Sequence, residues 1–116
     1  MIEVERVQPG ISVVALHGEH DLSTVGEVGG RIDAALADSA GVVVDLSETT
    51  FIDSAVLRLL ITTQTRAEER GVGFAVAVPD SSAHGVHRLL DLTGLAERLR
   101  TAPSRDGAIG AATPAG

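Results

Sequence analysis

Two short stretches, Val42 to Leu46 and Phe74 to Val78, are apolar on both faces, and a helix-length amphipathic segment separates them. A strand that is apolar on both faces must be covered on both sides. That is the condition of a strand inside a parallel sheet whose crossovers are helices. The intervening segment runs from about Ser54 to Glu69, with Val56, Leu57, Leu60, Ile61 and Gln64 along its inner side, the spacing of a helix. Arg70-Gly71 ends that helix and Pro79 stops the second strand.

The remaining elements are read around this unit. Ile2 to Val7 and Ile11 to Leu16 flank the turn signal Gln8-Pro9-Gly10, which predicts an antiparallel hairpin. Gly18-Glu19-His20-Asp21 closes its second strand. Ser23 or Thr24 then caps a helix carrying Val25, Val28, Ile32, Ala35 and Leu36. Gly26, Gly29 and Gly30 each weaken that helix by up to about 1 kcal/mol relative to Ala, so packing must hold it. A third helix opens at Ser81 or Ser82 and stops at Gly94, with an edge strand expected over Leu95 to Arg100. Ala108, Ile109, Ala111 and Ala112 suit one or two further helical turns, and Thr113 to Gly116 reads as disordered. The pattern predicts an α/β domain: a mixed four- to five-stranded sheet, N-terminal hairpin first and βα units after it, with helices packed against it. The domain is expected over residues 1–102, with 103–116 a degenerate C-terminal helix and flexible tail.

Composition excludes several function classes. The chain has 116 residues and a net charge of −7, and all nine of its basic residues are Arg. An acidic domain without a basic face repels phosphodiester backbones, so nucleic acid is not an expected partner. There is no Cys, hence no disulfide or thiol chemistry. The start, Met1-Ile2-Glu3-Val4-Glu5-Arg6, lacks the regions of a secretory signal, and no apolar run nears the roughly 20 residues of a membrane span. A cytoplasmic protein without membrane insertion is expected.

Four pieces of sequence, in order, resemble the STAS domains of bacterial anti-sigma factor antagonists. They are Gly18-Glu19-His20-Asp21; Val43-Val44-Asp45-Leu46 followed by Phe51-Ile52-Asp53-Ser54; Gly71-Val72-Gly73-Phe74; and the stretch from Val86 to Leu95, Val-His-Arg-Leu-Leu-Asp-Leu-Thr-Gly-Leu. The resemblance spans about residues 1–100 and implies the STAS fold. It also implies a partner-switching cycle. The unmodified domain binds an anti-sigma factor that is a serine kinase, phosphorylation at Ser54 dissolves the complex, and a phosphatase resets it. The partner surface so implied comprises Glu19, His20, Asp21, Asp53, Ser54, Ala55 and Val56. The chain departs from the family's Asp-Ser-Ser/Thr-Gly at Asp53-Ser54-Ala55-Val56, and a β-branched Val in place of Gly is expected to obstruct the approach to Ser54.

Each of these positions has two readings, a local one from the residues and the one that the resemblance implies. Ser54 is a helix cap, contributing about 1 kcal/mol, or a phosphosite where added charge acts on a docking surface. Asp53 is a capping carboxylate, or it orients the hydroxyl or contacts the kinase. The loop Glu19-His20-Asp21 is solvated, or it lies beside the phosphosite. His17/His20 and His84/His87 are each three apart, but no third ligand is visible and no metal or other cofactor is expected. Gly71-Val72-Gly73 precedes a strand and lacks a following Lys-Ser/Thr, so it is a turn rather than a phosphate loop. No Gly-x-Ser-x-Gly elbow is present, no base pairs with Ser54 in sequence, and no enzymatic activity is expected.

Three function classes follow. The leading one is an anti-sigma factor antagonist switched off at Ser54. The alternative is a non-phosphorylated STAS adaptor or structural subunit, for example of a lipid-transport ABC complex, a reading sustained by Ala55 and Val56. The third is a small-ligand or nucleotide-binding domain.

Overall fold

Alternate residues of the central strands go to opposite faces of one sheet, and the size of the side chains on each face decides what covers it. The computed structural model describes residues 1–79 and 84–114. Strands β1 (Ile2–Gln8) and β2 (Ile11–Leu16) form the expected hairpin, and β4 (Gly41–Asp45), β6 (Gly73–Ala77) and β7 (Thr101–Ala102) continue the sheet in the order β1-β2-β4-β6-β7. The hairpin is antiparallel and every later pairing in this sheet is parallel, so five strands make the expected mixed sheet.

One face carries Val14, Leu16, Val42, Val44, Phe74 and Val76. These large side chains meet helices α1 (Val25–Ala37) and α2 (Ser54–Arg70), and α3 (His84–Thr93) completes the same core. The other face carries the smaller Val13, Val43, Ala75 and Ala77, and the slim helix α4 (Arg105–Ala112) covers it, through Ala108 and Ala112. Small residues let this helix approach closely. A methyl group on Gly41 or Gly73 would collide with the carbonyl oxygen of Ala112. Arg105 Nε clasps the helix to the buried Asp45 carboxylate at 2.7 Å, and its Nη1 reaches Glu5 at 2.9 Å.

Helix α2 turns Val56, Leu57, Leu60, Thr63 and Ala67 into the core and ends on Gly71, whose φ of +69° is the left-handed conformation glycine takes without strain. Gln64, expected on the inner side, instead sits at the margin. Its amide donates to the Arg98 carbonyl and accepts from the Arg100 N–H.

Four local expectations change. Gly18–His20 does not merely close β2 but forms a short strand, β3, paired in parallel with β5 (Thr49–Ile52). Thr24 does stand at the start of α1, yet it makes no capping hydrogen bond with that helix; its hydroxyl faces back to Asp21 and His20. Leu95 to Arg100 is not an edge strand. Leu95–Arg98 is a 3₁₀ turn and the strand comes later, at Thr101–Ala102, because the Arg100 and Ala102 carbonyls are the ones that meet Val76 and Val78 N–H. Thr113 is ordered, its N–H donating to the Ile109 carbonyl. The start expected for α3 at Ser81 or Ser82, and the last residues of the tail, lie outside the described residues.

Candidate functional site

The end of β5 delivers Asp53 and Ser54 to the head of α2, and the two residues divide the work there. Asp53 occupies the cap position in extended conformation. Its Oδ1 accepts the N–H groups of Ala55 at 3.0 Å and Val56 at 3.1 Å, and its Oδ2 accepts the Leu22 N–H at 3.0 Å. A carboxylate here satisfies amides that the helix leaves unpaired and suits the positive end of its dipole. Through Leu22 it also ties the loop after β3 to α2. Asp53 is therefore a structural cap and staple.

Ser54, the first residue of the helix, is left without that duty. It is exposed, and its hydroxyl makes no hydrogen bond among the described residues. Of the two readings of Ser54, the geometry removes the cap. Val56 is fully buried in the core, because the third residue of α2 points opposite to the first. The Val56 side chain therefore does not cover the exposed Ser54. Ala55 is half-buried.

The neighbouring loop divides similarly. Glu19 is exposed. His20 is neither solvated nor at the surface: it is 2% exposed, with Nδ1 3.2 Å from the Thr24 hydroxyl and Nε2 3.2 Å from the His17 carbonyl. Its ring fixes the loop from beneath. Asp21 accepts the hydroxyl and N–H of Ser23, and these bonds hold its carboxyl below the usual range. The seven expected partner-surface residues thus lie around one place, but His20 and Val56 support it from inside while Glu19, Asp21, Asp53, Ser54 and Ala55 reach solvent.

Other residues around Ser54 were not singled out in the sequence. Leu22 is 73% exposed and Leu92 74%, and Phe51 is also exposed. Phe51, Leu92 and Arg88 line a groove with Ser54 on one side. On the other side is a cleft of about 310 Å³ with Ser54, Arg58 and Arg98 in its walls. Large apolar side chains exposed together mark interaction surfaces. Leu22 in a polar loop and Phe51, one of only two aromatics, are the signals that point to the patch. The arginines are dispersed along the chain and give none. Among the described residues no group of three or more metal-ligating side chains is found, and no helix is long and apolar enough to cross a membrane.

The fold that carries this site is shared with known proteins. The family model described as Mlab, STAS domain matches residues 5–101. The crystal structure of an anti-sigma factor antagonist from Mycobacterium paratuberculosis superposes with a TM-score of 0.77 at 32% identity, covering 97% of this chain and 92% of that one. Two further structures share the fold. A serine-to-glutamate variant of RsbS from Moorella thermoacetica has a TM-score of 0.74 at 22% identity, covering 94% and 92% of the two chains. SpoIIAA of Bacillus in its phosphorylated form has a TM-score of 0.64 at 18% identity, covering 88% and 91%. No curated protein matches by sequence. The chain belongs to the STAS domain family, the family of the anti-sigma factor antagonists that it resembles.

Proposed function

We propose that this protein is an anti-sigma factor antagonist that binds an anti-sigma factor with serine kinase activity and is switched off by phosphorylation at Ser54. The observation that carries the proposal is the unspent Ser54 hydroxyl: exposed, unbonded among the described residues, and relieved of capping by Asp53. Support comes from the 32% identical relative, an anti-sigma factor antagonist, and from the fold shared with a phosphorylated SpoIIAA.

In the proposed cycle Leu22, Phe51 and Leu92 supply the apolar contact, and the kinase approaches Ser54 across it. The γ-phosphoryl group passes from ATP to Ser54 Oγ with ADP leaving. The hydroxyl proton goes to a base of the kinase, since both oxygens of Asp53 already accept backbone N–H groups. The product carries about −1.5 to −2 added charges at the centre of the docking patch. A phosphatase reverses the step, and no cofactor is involved. Incubation with the cognate kinase and ATP, read by intact mass, gives one phosphoryl addition in the native chain and none in Ser54→Ala. Pull-down from the native host with unmodified protein, and with Ser54→Asp, loses one kinase-like partner in the variant. No mass gain, or identical partner sets, refutes the switch and leaves the non-phosphorylated adaptor.

A further inference from the structure

The arginines around Ser54 run against the charge of the chain. The protein carries −7 overall, yet no carboxylate lines the cleft between α2 and the 3₁₀ turn, where Arg58 and Arg98 stand with Ser54. Arg6, Arg66 and Arg105 are committed to Asp38, to Asp33, and to Asp45 with Glu5. Arg58 and Arg98 have no ion pair among the described residues. Arg58 is four residues after Ser54 on one helix, the spacing at which side chains stack on the same face. Arg98 belongs to a different element, and its place is fixed rather than fortuitous. Gln64 of α2 donates to its carbonyl at 2.7 Å and accepts the Arg100 N–H at 2.6 Å, while Leu99 between them is buried. Two guanidinium groups, from two walls held together by one glutamine, therefore flank the Ser54 hydroxyl.

We propose that Arg58 and Arg98 form a seat for the phosphoryl group carried by Ser54, so that the domain holds its own modification in the cleft. The chemistry fits, because guanidinium forks bind phosphate oxygens through paired N–H donors. Of the other charged groups around Ser54, Arg88 and Asp53 line the adjoining groove, and Glu19 and Asp21 stand on the strand and loop that Asp53 ties to α2 through Leu22. Arg88 adds to the cationic field. Asp53 opposes it, with its oxygens engaged by three backbone N–H groups. In the unmodified state the seat presents two uncompensated positive charges to an acidic partner. In the modified state the phosphate neutralises them in place.

The inference rests on Ser54 as the modified residue, and its test is independent of any kinase. Phosphoserine is installed at position 54 by genetic encoding in the full chain, and its second ionisation is followed by ³¹P NMR. Seating on two exposed arginines lowers the midpoint from about 6 by about 0.5–1 pH unit. Arg58→Gln and Arg98→Gln each recover part of the shift, and the double variant recovers all but what the helix N-terminus and Arg88 contribute. Arg70→Gln, at the far end of α2, recovers none. High salt shrinks the native shift. The melting curves of the unmodified variants, which stay native-like, show that the loss is not misfolding. A native midpoint equal to that of the double variant overturns the seat. The two ideas fail separately: an arginine-dependent midpoint in a chain no kinase modifies refutes the switch alone, and kinase modification with an arginine-independent midpoint refutes the seat alone.

Discussion

Asp53 and Ser54 are both residue types that cap helices, and substituting each in turn tests which one does. Asp53→Ala removes the acceptor for Ala55 and Val56 N–H and, separately, for Leu22 N–H. Loss of the cap costs about 1 kcal/mol. The Leu22 N–H sits in a residue that is 73% exposed and regains water, so that bond adds about 0.5–1 kcal/mol. The sum is about 1.5–2 kcal/mol. For a domain of this size that is a fall in Tm of about 6–8 °C. Asp53→Asn keeps one acceptor oxygen and recovers about half of the loss. Ser54→Ala changes stability by less than about 0.5 kcal/mol, since no bond is lost. The chain has no Trp or Tyr, so urea unfolding is followed by far-UV circular dichroism rather than intrinsic fluorescence. A cost of 1 kcal/mol or more for Ser54→Ala, with less than about 0.5 kcal/mol for Asp53→Ala, would refute the division of labour and restore the serine as cap.

Gly73→Ala places a methyl group against the Ala112 carbonyl, so α4 must lift from the sheet at a cost of about 1–3 kcal/mol; amide exchange that quickens across α4 and not across α2 is the signature, and unchanged exchange contradicts the close approach. At Asp45, burial raises the carboxyl pKa, but hydrogen bonds from the Ser47 hydroxyl and N–H and from Arg105 outweigh it, and the net position is below the ordinary value near 3.8. A depressed folded-state pKa gives stability that is complete above the unfolded-state value and is lost as pH falls through the folded-state one. The stability difference between native and Asp45→Asn therefore holds from pH 7 to about 5 and narrows below about 4, as urea midpoints measure; a difference that grows on acidification contradicts the Arg105–Asp45 clasp. Val56→Gly restores the family's usual residue but empties a fully buried site, costing about 2–4 kcal/mol; the rate of Ser54 phosphorylation stays within about threefold of native, and a tenfold gain shows that Val56 does obstruct.

The sheet was legible because burial on both faces is written into consecutive residues: Val42-Val43-Val44 and Phe74 to Val78 are strands whichever way they face. The unequal coverage of the two faces was also present, in the alternation of Phe74 and Val76 with Ala75 and Ala77, but it needs the register to be read. What escaped is what depends on distant partners. β3 and β5 are three and four residues long, too short for a period-2 pattern, and exist because each pairs with the other. The strand after the third helix was displaced because Gln64, thirty-four residues earlier, anchors Arg98. His20 offers no local sign of burial; Thr24 and the His17 carbonyl enclose it. Asp53 and Ser54 are indistinguishable as caps by type, and Leu22 N–H, thirty-one residues earlier, gives Asp53 its second bond.

That division of labour constrains how a switch at this position works. If Ser54 supplied the cap, a phosphate on its oxygen would cost the helix its first hydrogen bonds, and the modified domain would respond by fraying α2. With Asp53 holding Ala55, Val56 and Leu22 N–H, the added charge leaves those bonds intact and falls near the positive end of the helix dipole, where it is tolerated or favoured. The core beneath is equally indifferent, because Val56 and Leu57 already face inward. A charge change of about −1.5 to −2 thus alters the surface between Leu22, Phe51 and Leu92 without altering the fold that presents it. Under the proposed cycle, release of the partner is an electrostatic event at the interface, and Ser54→Asp and phosphoserine should differ from the native chain in binding while sharing its stability to within about 1 kcal/mol.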